Sequence, residues 1–302
     1  MKIITITSQV FLLILISPLV SGVIRKIKNN LRMRKGPGIF QPYYNLFKLF
    51  GKEEVVSERA SWIFGAAPYV VLSSTVAALF LVPVYAAGVS ADGTGDFLAV
   101  VFLLALGRFF IALSALDTGS SFGGMGSSRE MFISSVVEPV IVLSAFAVGV
   151  LHCSTNFTAV NMPDTMFLCR AAAALALFFA AIAETSRLPV DNQETHLELT
   201  MVHEAMLLEY SGRPLALMEL AAHIKQILFF LIVCNILVPA GYFSGSMATG
   251  IAAAIVKVAA ICAVVSVLDV SVAKLRLFRV VDFLGIGLLF AVLSFIFALM
   301  RI

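Results

Sequence analysis

The sequence predicts an all-α, polytopic membrane protein with eight transmembrane helices and both termini on the outer side. Three observations carry this reading. Of the 302 residues, 60% are hydrophobic and 13% charged, with a mean hydropathy of +1.01, whereas soluble domains run at roughly 45–50% apolar and about 25% charged. A water-soluble globule of this size cannot bury that much apolar surface, so soluble, disordered and nucleic-acid-binding classes drop out. Eight apolar stretches reach the roughly 20 residues that span a bilayer: 3–24, 62–86, 97–116, 131–151, 166–185, 222–242, 248–270 and 281–300. The third observation is the placement of the basic residues.

The first stretch opens with Lys2 and an apolar run, as a secretory signal does. Pro18-Leu19-Val20-Ser21-Gly22 makes a poor cleavage site and a dense basic cluster follows, so it is read as a span. The segment 25–61 holds nine basic residues: Arg25, Lys26, Lys28, Arg32, Arg34, Lys35, Lys48, Lys52 and Arg59. Eight spans put Arg129, Arg187, Arg213, Lys274, Arg276 and Arg279 on the same side, making fifteen against three (Lys2, Arg170, Arg301) on the other. The positive-inside rule makes the loops 25–61, 117–130 and 186–221 cytoplasmic. The whole chain, 1–302, reads as one membrane domain in the cell (inner) membrane, receiving partners from the cytoplasmic side.

In the first loop, Arg34-Lys35-Gly36-Pro37-Gly38 breaks regular structure and permits a tight turn. Tyr43, Leu46, Phe47 and Phe50 share one helical face, with Gly51 placed to cap the end. That helix either lies in the membrane interface or packs between spans, and the two are compatible. The glycine- and serine-rich loop 117–130 lacks the lysine and spacing of a nucleotide-binding loop; Ser127 or Ser128 is expected to cap the next helix, with Glu130 in its first turn. Cys153, Cys169, Cys234 and Cys262 have no cluster spacing. No redox centre or metal is expected on this chain.

The loop 186–221 carries the most chemistry. Asp191 and Glu194 have capping-box spacing. On a helix continuous from there, Glu194, Glu198 and Glu209 fall within about 60° of one another, and His196 and His203 lie opposite, without the i, i+4 spacing of a metal pair. The flanking Leu197, Leu199, Met201, Val202, Met206, Leu207 and Leu208 argue for burial. Buried clustered carboxylates repel and hold protons near neutral pH, which is what a proton path needs. Within the spans stand Arg108, Glu138, Glu184, Lys225, Lys257 and Asp269, and intramembrane charges are costly and usually functional. Lys225 and Asp269 are near enough to span ends to snorkel.

Together, Arg34-Lys35-Gly36-Pro37-Gly38, Gln41-Pro42, Lys48-Leu49-Phe50-Gly51-Lys52-Glu53, Glu184-Thr185-Ser186-Arg187-Leu188-Pro189-Val190-Asp191 and Glu209-Tyr210-Ser211-Gly212 resemble subunit 1 of respiratory complex I, along essentially the whole chain. The glycine–proline motif is shorter than in complex I proper. The segment Asp191 to Met206 is similar to the version in group 4 membrane-bound [NiFe] hydrogenases, which include hydrogenase-4, formate hydrogenlyase and energy-converting hydrogenases. The resemblance implies a non-catalytic subunit that anchors a cytoplasmic hydrogenase module and couples it to ion movement. Its implied partners are the [NiFe] hydrogenase large subunit, an iron–sulfur small subunit, a ferredoxin-like subunit and antiporter-like membrane subunits, besides lipid. The nickel–iron site and 4Fe-4S clusters are implied on those partners. By matching positions, Glu184, Arg187, Asp191, Glu194, Glu198, Glu204 and Glu209 become junction acids with their counter-charge, followed by Glu130 and Glu138; Lys257 joins the ion path. Arg34, Lys35, Gly36, Pro37, Gly38, Lys48, Lys52 and Glu53 form the docking loop. Two other readings stay open: a quinone-site subunit of a complex I, with quinone entering near helix 43–50, and a stand-alone transporter with its site among Arg108, Glu138 and Lys257.

Overall fold

The computed structural model describes residues 2–57, 59–82, 95–157, 166–191, 201–239, 242 and 247–300. They form ten helices: α1 (Lys2–Leu31), α2 (Gln41–Phe50), α3 (Trp62–Leu81), α4 (Phe97–Asp117), α5 (Ser121–His152), α6 (Phe167–Glu184), α7 (His203–Leu207), α8 (Gly212–Leu237), α9 (Met247–Ser271) and α10 (Leu277–Met300). Eight are long and apolar enough to cross a membrane, in the order expected; α2 and α7 are not among them. The alanine-rich α6 and the helix α8 are the most enclosed, each 67% buried along its most apolar window, against 22% for α9 and 28% for α10. Around α6 stand α5, α8 and α10, while α8 also packs against α1, α2, α3 and α9, and α4 closes the bundle between α3 and α5.

Several spans are longer than hydropathy indicates. Helix α1 runs on through the basic residues to Leu31, and α8 starts at Gly212. The segment 117–130 is mostly not a loop, because α5 begins at Ser121 under the Ser120 cap, whose side chain accepts the Gly123 N–H. Ser127 and Ser128 therefore cap nothing; their hydroxyls bond back to the Gly124 and Met125 carbonyls, and Glu130 lies well inside the helix. Gly123 and Gly126 serve packing. A Cβ on Gly126 would stand 2.9 Å from Ala205 Cβ and 3.0 Å from the Val202 carbonyl oxygen, so α7 lies directly on this bare stripe.

Helix ends follow one device. Arg34, Ser154 and Arg187 N–H groups reach back to the Asn29, Gly149 and Ile182 carbonyls across left-handed Met33, Cys153 and Ser186, closing the three helices in Schellman fashion. The reversal after α1 is thus made at Met33, before the Gly-Pro-Gly run, which has no regular structure and whose Gly38 carbonyl accepts the Gln41 N–H at the start of α2. Prolines inside helices leave the carbonyl four residues back without its donor. Pro18 frees Ile14, which accepts the Ser17 hydroxyl at 2.9 Å. Pro68 frees Phe64, which accepts the Tyr210 hydroxyl at 3.0 Å. Helix α2 turns Pro42 and Leu46 inward against α1 and α8, while Tyr44 and Phe47 are exposed; its inward and outward apolar sides combine the interfacial and packed readings. Gly51 occupies the C-cap with an ordinary right-handed conformation.

Replacing Gly126 with Val is expected to overpack the α5–α7 contact by about 1–3 kcal/mol. The check is a lower thermal midpoint in detergent, with faster proteolysis around residues 201–210 than in the parent chain.

Candidate functional site

The end of α6, the short α7 and the first half of α8 converge on a buried charged row. Arg108 of α4 is 6% exposed. One of its guanidinium nitrogens pairs with Glu184 Oε1, and the other meets Glu138 Oε1 at 2.8 Å. Lys225 Nζ stands 2.7 Å from Glu184 Oε2. Four helices, α4, α5, α6 and α8, thus each supply one charge. Removing Arg108 or Glu184, the two buried members, costs about 3–5 kcal/mol because the partners are left uncompensated. Glu184, near the inner end of the row, has a 3% exposed side chain. The Glu138 side chain is 45% exposed near the middle of α5, next to Pro139. Glu130, farther back on α5, lies within electrostatic reach of Lys225 and Glu184.

Beside the row lies a cavity of about 400 Å³. Its walls include Ser21 and Arg25 of α1, Pro42 and Asn45 of α2, Glu184, His203 and Glu204, Tyr210, and Glu219, His223, Lys225 and Gln226 of α8. The wall facing α1 belongs to a second polar network. The Ser21 hydroxyl donates to Gln226 Oε1 at 2.7 Å, and Arg187 donates to the same oxygen at 3.2 Å. Arg187 also pairs with Asp269 at 3.4 Å, with Lys28 3.8 Å from that carboxylate. Burial lowers the Arg187 pKa from its ordinary value, Asp269 opposing the shift.

Asp191 works as a clamp. Its Oδ2 accepts the Val202 and His203 backbone N–H groups at 3.1 and 3.3 Å, and its Oδ1 accepts Lys274 Nζ at 2.6 Å. The Leu275 N–H adds a bond to the Pro189 carbonyl at 2.9 Å, so the turn between α9 and α10 is stapled to the turn after α6. Asp191 is thereby held against Val202 and His203. Glu194, His196 and Glu198 lie outside the described residues. Helix α7 spans only His203–Leu207, so the expected helix does not run on to Glu209, which lies exposed in the following turn.

The Glu209-Tyr210-Ser211-Gly212 motif ties this region to the first loop. The Tyr210 ring stacks on Phe64 at 4.0 Å while its hydroxyl takes the carbonyl freed by Pro68, and burial raises its pKa to about 12. The Ser211 hydroxyl accepts the Val55 N–H at 2.8 Å and donates to the Val55 carbonyl at 3.1 Å. Gly212 has φ +56, and a Cβ there would stand 2.6 Å from the Glu53 carbonyl oxygen. Arg34, Lys35, Pro37, Gly38, Lys48, Lys52 and Glu53 are exposed and Gly36 half-buried.

Lys257 stands apart from the row, with its Nζ 2.6 Å from the Val238 carbonyl at the C-terminal end of α8. There it caps a helix end, which removes it from the transporter site expected with Arg108 and Glu138. Lys225 and Asp269 do not snorkel; both are paired inside the bundle. Lys225, His203, Lys28 and Lys274 join the site although their sequence context assigns them no role in it. The signal for Lys225 is its intramembrane position. Among the described residues, no group of three His, Cys, Asp or Glu could hold a metal ion.

A helical membrane subunit with a charged row buried across its bundle is the class that this fold and site define. The chain belongs to the NADH dehydrogenase family, whose model matches residues 3–300. It is 32% identical to hydrogenase-4 component C of Escherichia coli K12, covering 96% of this chain and 94% of that one. It is 31% identical to formate hydrogenlyase subunit 4 of the same organism, covering 95% and 96%. NADH-quinone oxidoreductase subunit 8 of Rhodothermus marinus is 27% identical over 73% of this chain and 67% of its own length. The fold matches a chain of the membrane-bound sulfane sulfur reductase, an archaeal respiratory membrane complex, with a TM-score of 0.86, 20% identity and 98% and 99% of the two chains covered.

Tyr210→Phe keeps the stack on Phe64 but strips the Phe64 carbonyl of its partner. It is expected to lower stability by about 1–3 kcal/mol, read as a lower thermal midpoint. Burial and the nearby Lys225 ammonium hold the His203 imidazole down to about 4, with Asp191 and Glu184 opposing. The unfolded chain therefore takes up more protons below pH 6.5, and this contribution to stability is complete above about 6.5 and lost as pH falls toward 4. Thermal unfolding at pH 7 and 5 checks this, with His203→Gln flattening the difference.

Proposed function

We propose that this chain is the membrane-anchoring and ion-coupling subunit of a hydrogen-evolving [NiFe] hydrogenase complex. The observation that carries the reading is Arg108 held between two carboxylates, Glu184 inside the bundle and Glu138 at its half-exposed flank. A guanidinium shared by two acids responds to protonation of either one. When Glu184 takes a proton, the attraction on Arg108 shifts toward Glu138 and stabilises its ionised form; when Glu184 loses it, the balance returns. The near-equal match to hydrogenase-4 component C and formate hydrogenlyase subunit 4 over almost the whole chain, against partial coverage for the NADH-quinone oxidoreductase relative, supports the hydrogenase assignment.

In this reading the cytoplasmic side is the side of α2, α7 and the basic first loop, and the membrane is the inner one. The hydrogenase large subunit, the iron–sulfur small subunit and the ferredoxin-like subunit sit there, carrying the nickel–iron site and the 4Fe-4S clusters. The docking surface is the exposed Arg34–Gly38 turn with Lys48, Lys52 and Glu53, stiffened by the Ser211–Val55 bonds. Redox events there act on the acids of 192–204, among them Glu194, Glu198 and Glu204, and through Lys225 on Glu184. At the far end, the half-exposed Glu138 carboxylate is poorly served by lipid, so an antiporter-like membrane subunit covers it and receives the proton or sodium ion.

The cavity beside α2 supports a second reading, a quinone-site subunit of an NADH:quinone oxidoreductase, since it has polar walls and the size of a small-ligand site. A mild-detergent pull-down of the tagged chain separates the two. Nickel with viologen-linked hydrogen turnover supports the hydrogenase; a nickel-free complex oxidising NADH with quinone supports the alternative. For coupling, Glu138→Gln and Glu198→Gln are each expected to reduce the ions moved per hydrogen formed at least tenfold in sealed vesicles, with hydrogen evolution still measurable. Normal ratios in both variants would overturn the acid path.

A further inference from the structure

His203 is a titratable residue on the cavity wall that is held in place through its backbone. Its backbone N–H is fixed by Asp191 Oδ2 at 3.3 Å, which anchors the residue at the start of α7. Its imidazole borders the 400 Å³ cavity together with Lys225, Glu184 and Glu204, and it forms no hydrogen bond with another described residue. The charges that bear on it come from three sides: Lys225 of α8, Glu184 at the end of α6, and Asp191 after α6. From α5, Glu130 faces the same Lys225, Glu184 and Asp191. Glu204 follows it on its own helix.

This arrangement makes the proton affinity of the ring depend on where Lys225 points. With the ammonium 2.7 Å from Glu184, burial and the positive charge keep the imidazole neutral. With the ammonium swung along the cavity away from the ring, the Glu184 and Asp191 carboxylates are left to attract an imidazolium. Lys has four rotatable bonds and a polar cavity beside it, so that movement needs no backbone change.

We propose that His203 is the proton-carrying residue that takes up protons from the cavity and hands them to Glu184 on the same wall, loading when Lys225 leaves Glu184 and unloading onto Glu184 before Lys225 returns. In the first step a water proton in the cavity binds the free ring nitrogen, leaving hydroxide to be neutralised from bulk water. In the second, that N–H bond breaks and an O–H bond forms on Glu184, which leaves both groups neutral. Arg108 is then drawn toward Glu138. The proposal rests on the ion-coupling reading above and adds the group that brings the proton to it.

The test uses the intact complex in sealed inverted membrane vesicles, with hydrogen evolution driven by reduced methyl viologen and proton uptake followed by an internal pH dye. His203→Ala opens space continuous with the cavity, and the protons taken up per hydrogen formed are expected to fall at least tenfold. Millimolar imidazole is expected to restore at least a third of the parent ratio, because the free base fills the vacated position. His203→Gln, which retains the backbone bond to Asp191 and fills the space, is expected to show the same loss with no rescue. An unchanged ratio in either variant, or a loss in His203→Ala that imidazole does not repair, overturns the role of His203. The parallel Glu138→Gln vesicles keep the two failures apart. A lost ratio there with unaffected His203 variants rejects the carrier alone, whereas unaffected ratios in Glu138→Gln, Glu198→Gln and both His203 variants reject the ion-coupling reading and the carrier with it.

Discussion

The Arg108–Glu184 pair is the interaction on which the bundle's interior depends. A guanidinium and a carboxylate removed from water each lose several kcal/mol of hydration, which only close mutual contact and further bonds offset. Arg108 finds both by spanning two acids, and Glu184 finds both by facing Arg108 and Lys225. The four helices that bring these groups are thereby fixed in azimuth as well as in position. A helix rotated by one residue would point a charge into an apolar neighbour. Apolar packing alone specifies such rotation less sharply, because aliphatic contacts of similar volume interchange at small cost. Polar contacts of this kind supply the register that greasy ones leave open.

Most of the architecture was legible in the sequence because hydropathy reports directly on which segments cross a bilayer. All eight spans were recovered in order, and so was the helix around Tyr43–Phe50. The boundaries were less legible, for reasons that lie in specific residues. Three helices end at left-handed Met33, Cys153 and Ser186, where a reader looks for glycine. Conversely, the glycines of 119–126 promise a loop, yet three of them lie in α5, where Gly126 makes room for α7 and Gly123 for the end of α4. The acids Glu184 and Glu138 stood out as intramembrane charges, but nothing local in the sequence joins them to Arg108, 76 and 30 residues away. Asp191 was read as a helix cap in sequence order; it does cap a helix, across a gap of twelve residues to His203. Glu209 was grouped by a helical wheel that the chain abandons after Leu207.

Two networks meet at the turn after α6. One runs through Glu184 to Arg108 and Glu138; the other runs through Arg187 to Gln226, Asp269 and Lys28. Since Glu184 and Arg187 are three residues apart, a displacement of this turn moves both. Asp191 and Lys274 secure the same turn from the α9–α10 side, which adds an electrostatic tie to the apolar packing of α10 on α6 through Phe179, Phe283 and Phe290. That gives the least buried edge of the subunit a mechanical link to its centre.

The placement of Glu138 also bears on the life of the subunit before assembly. A newly made copy carries a half-exposed carboxylate near the middle of a membrane helix, a position at which lipid solvates charge poorly. An orphan copy therefore draws water into the bilayer around that flank or leaves Arg108 to hold the acid alone. Either condition distinguishes the unassembled from the assembled state and is relieved only when a neighbour covers the flank. In the proposed complex the same carboxylate thus makes the assembled subunit the more stable form in the bilayer and adds to the free energy of association with the neighbour that covers it.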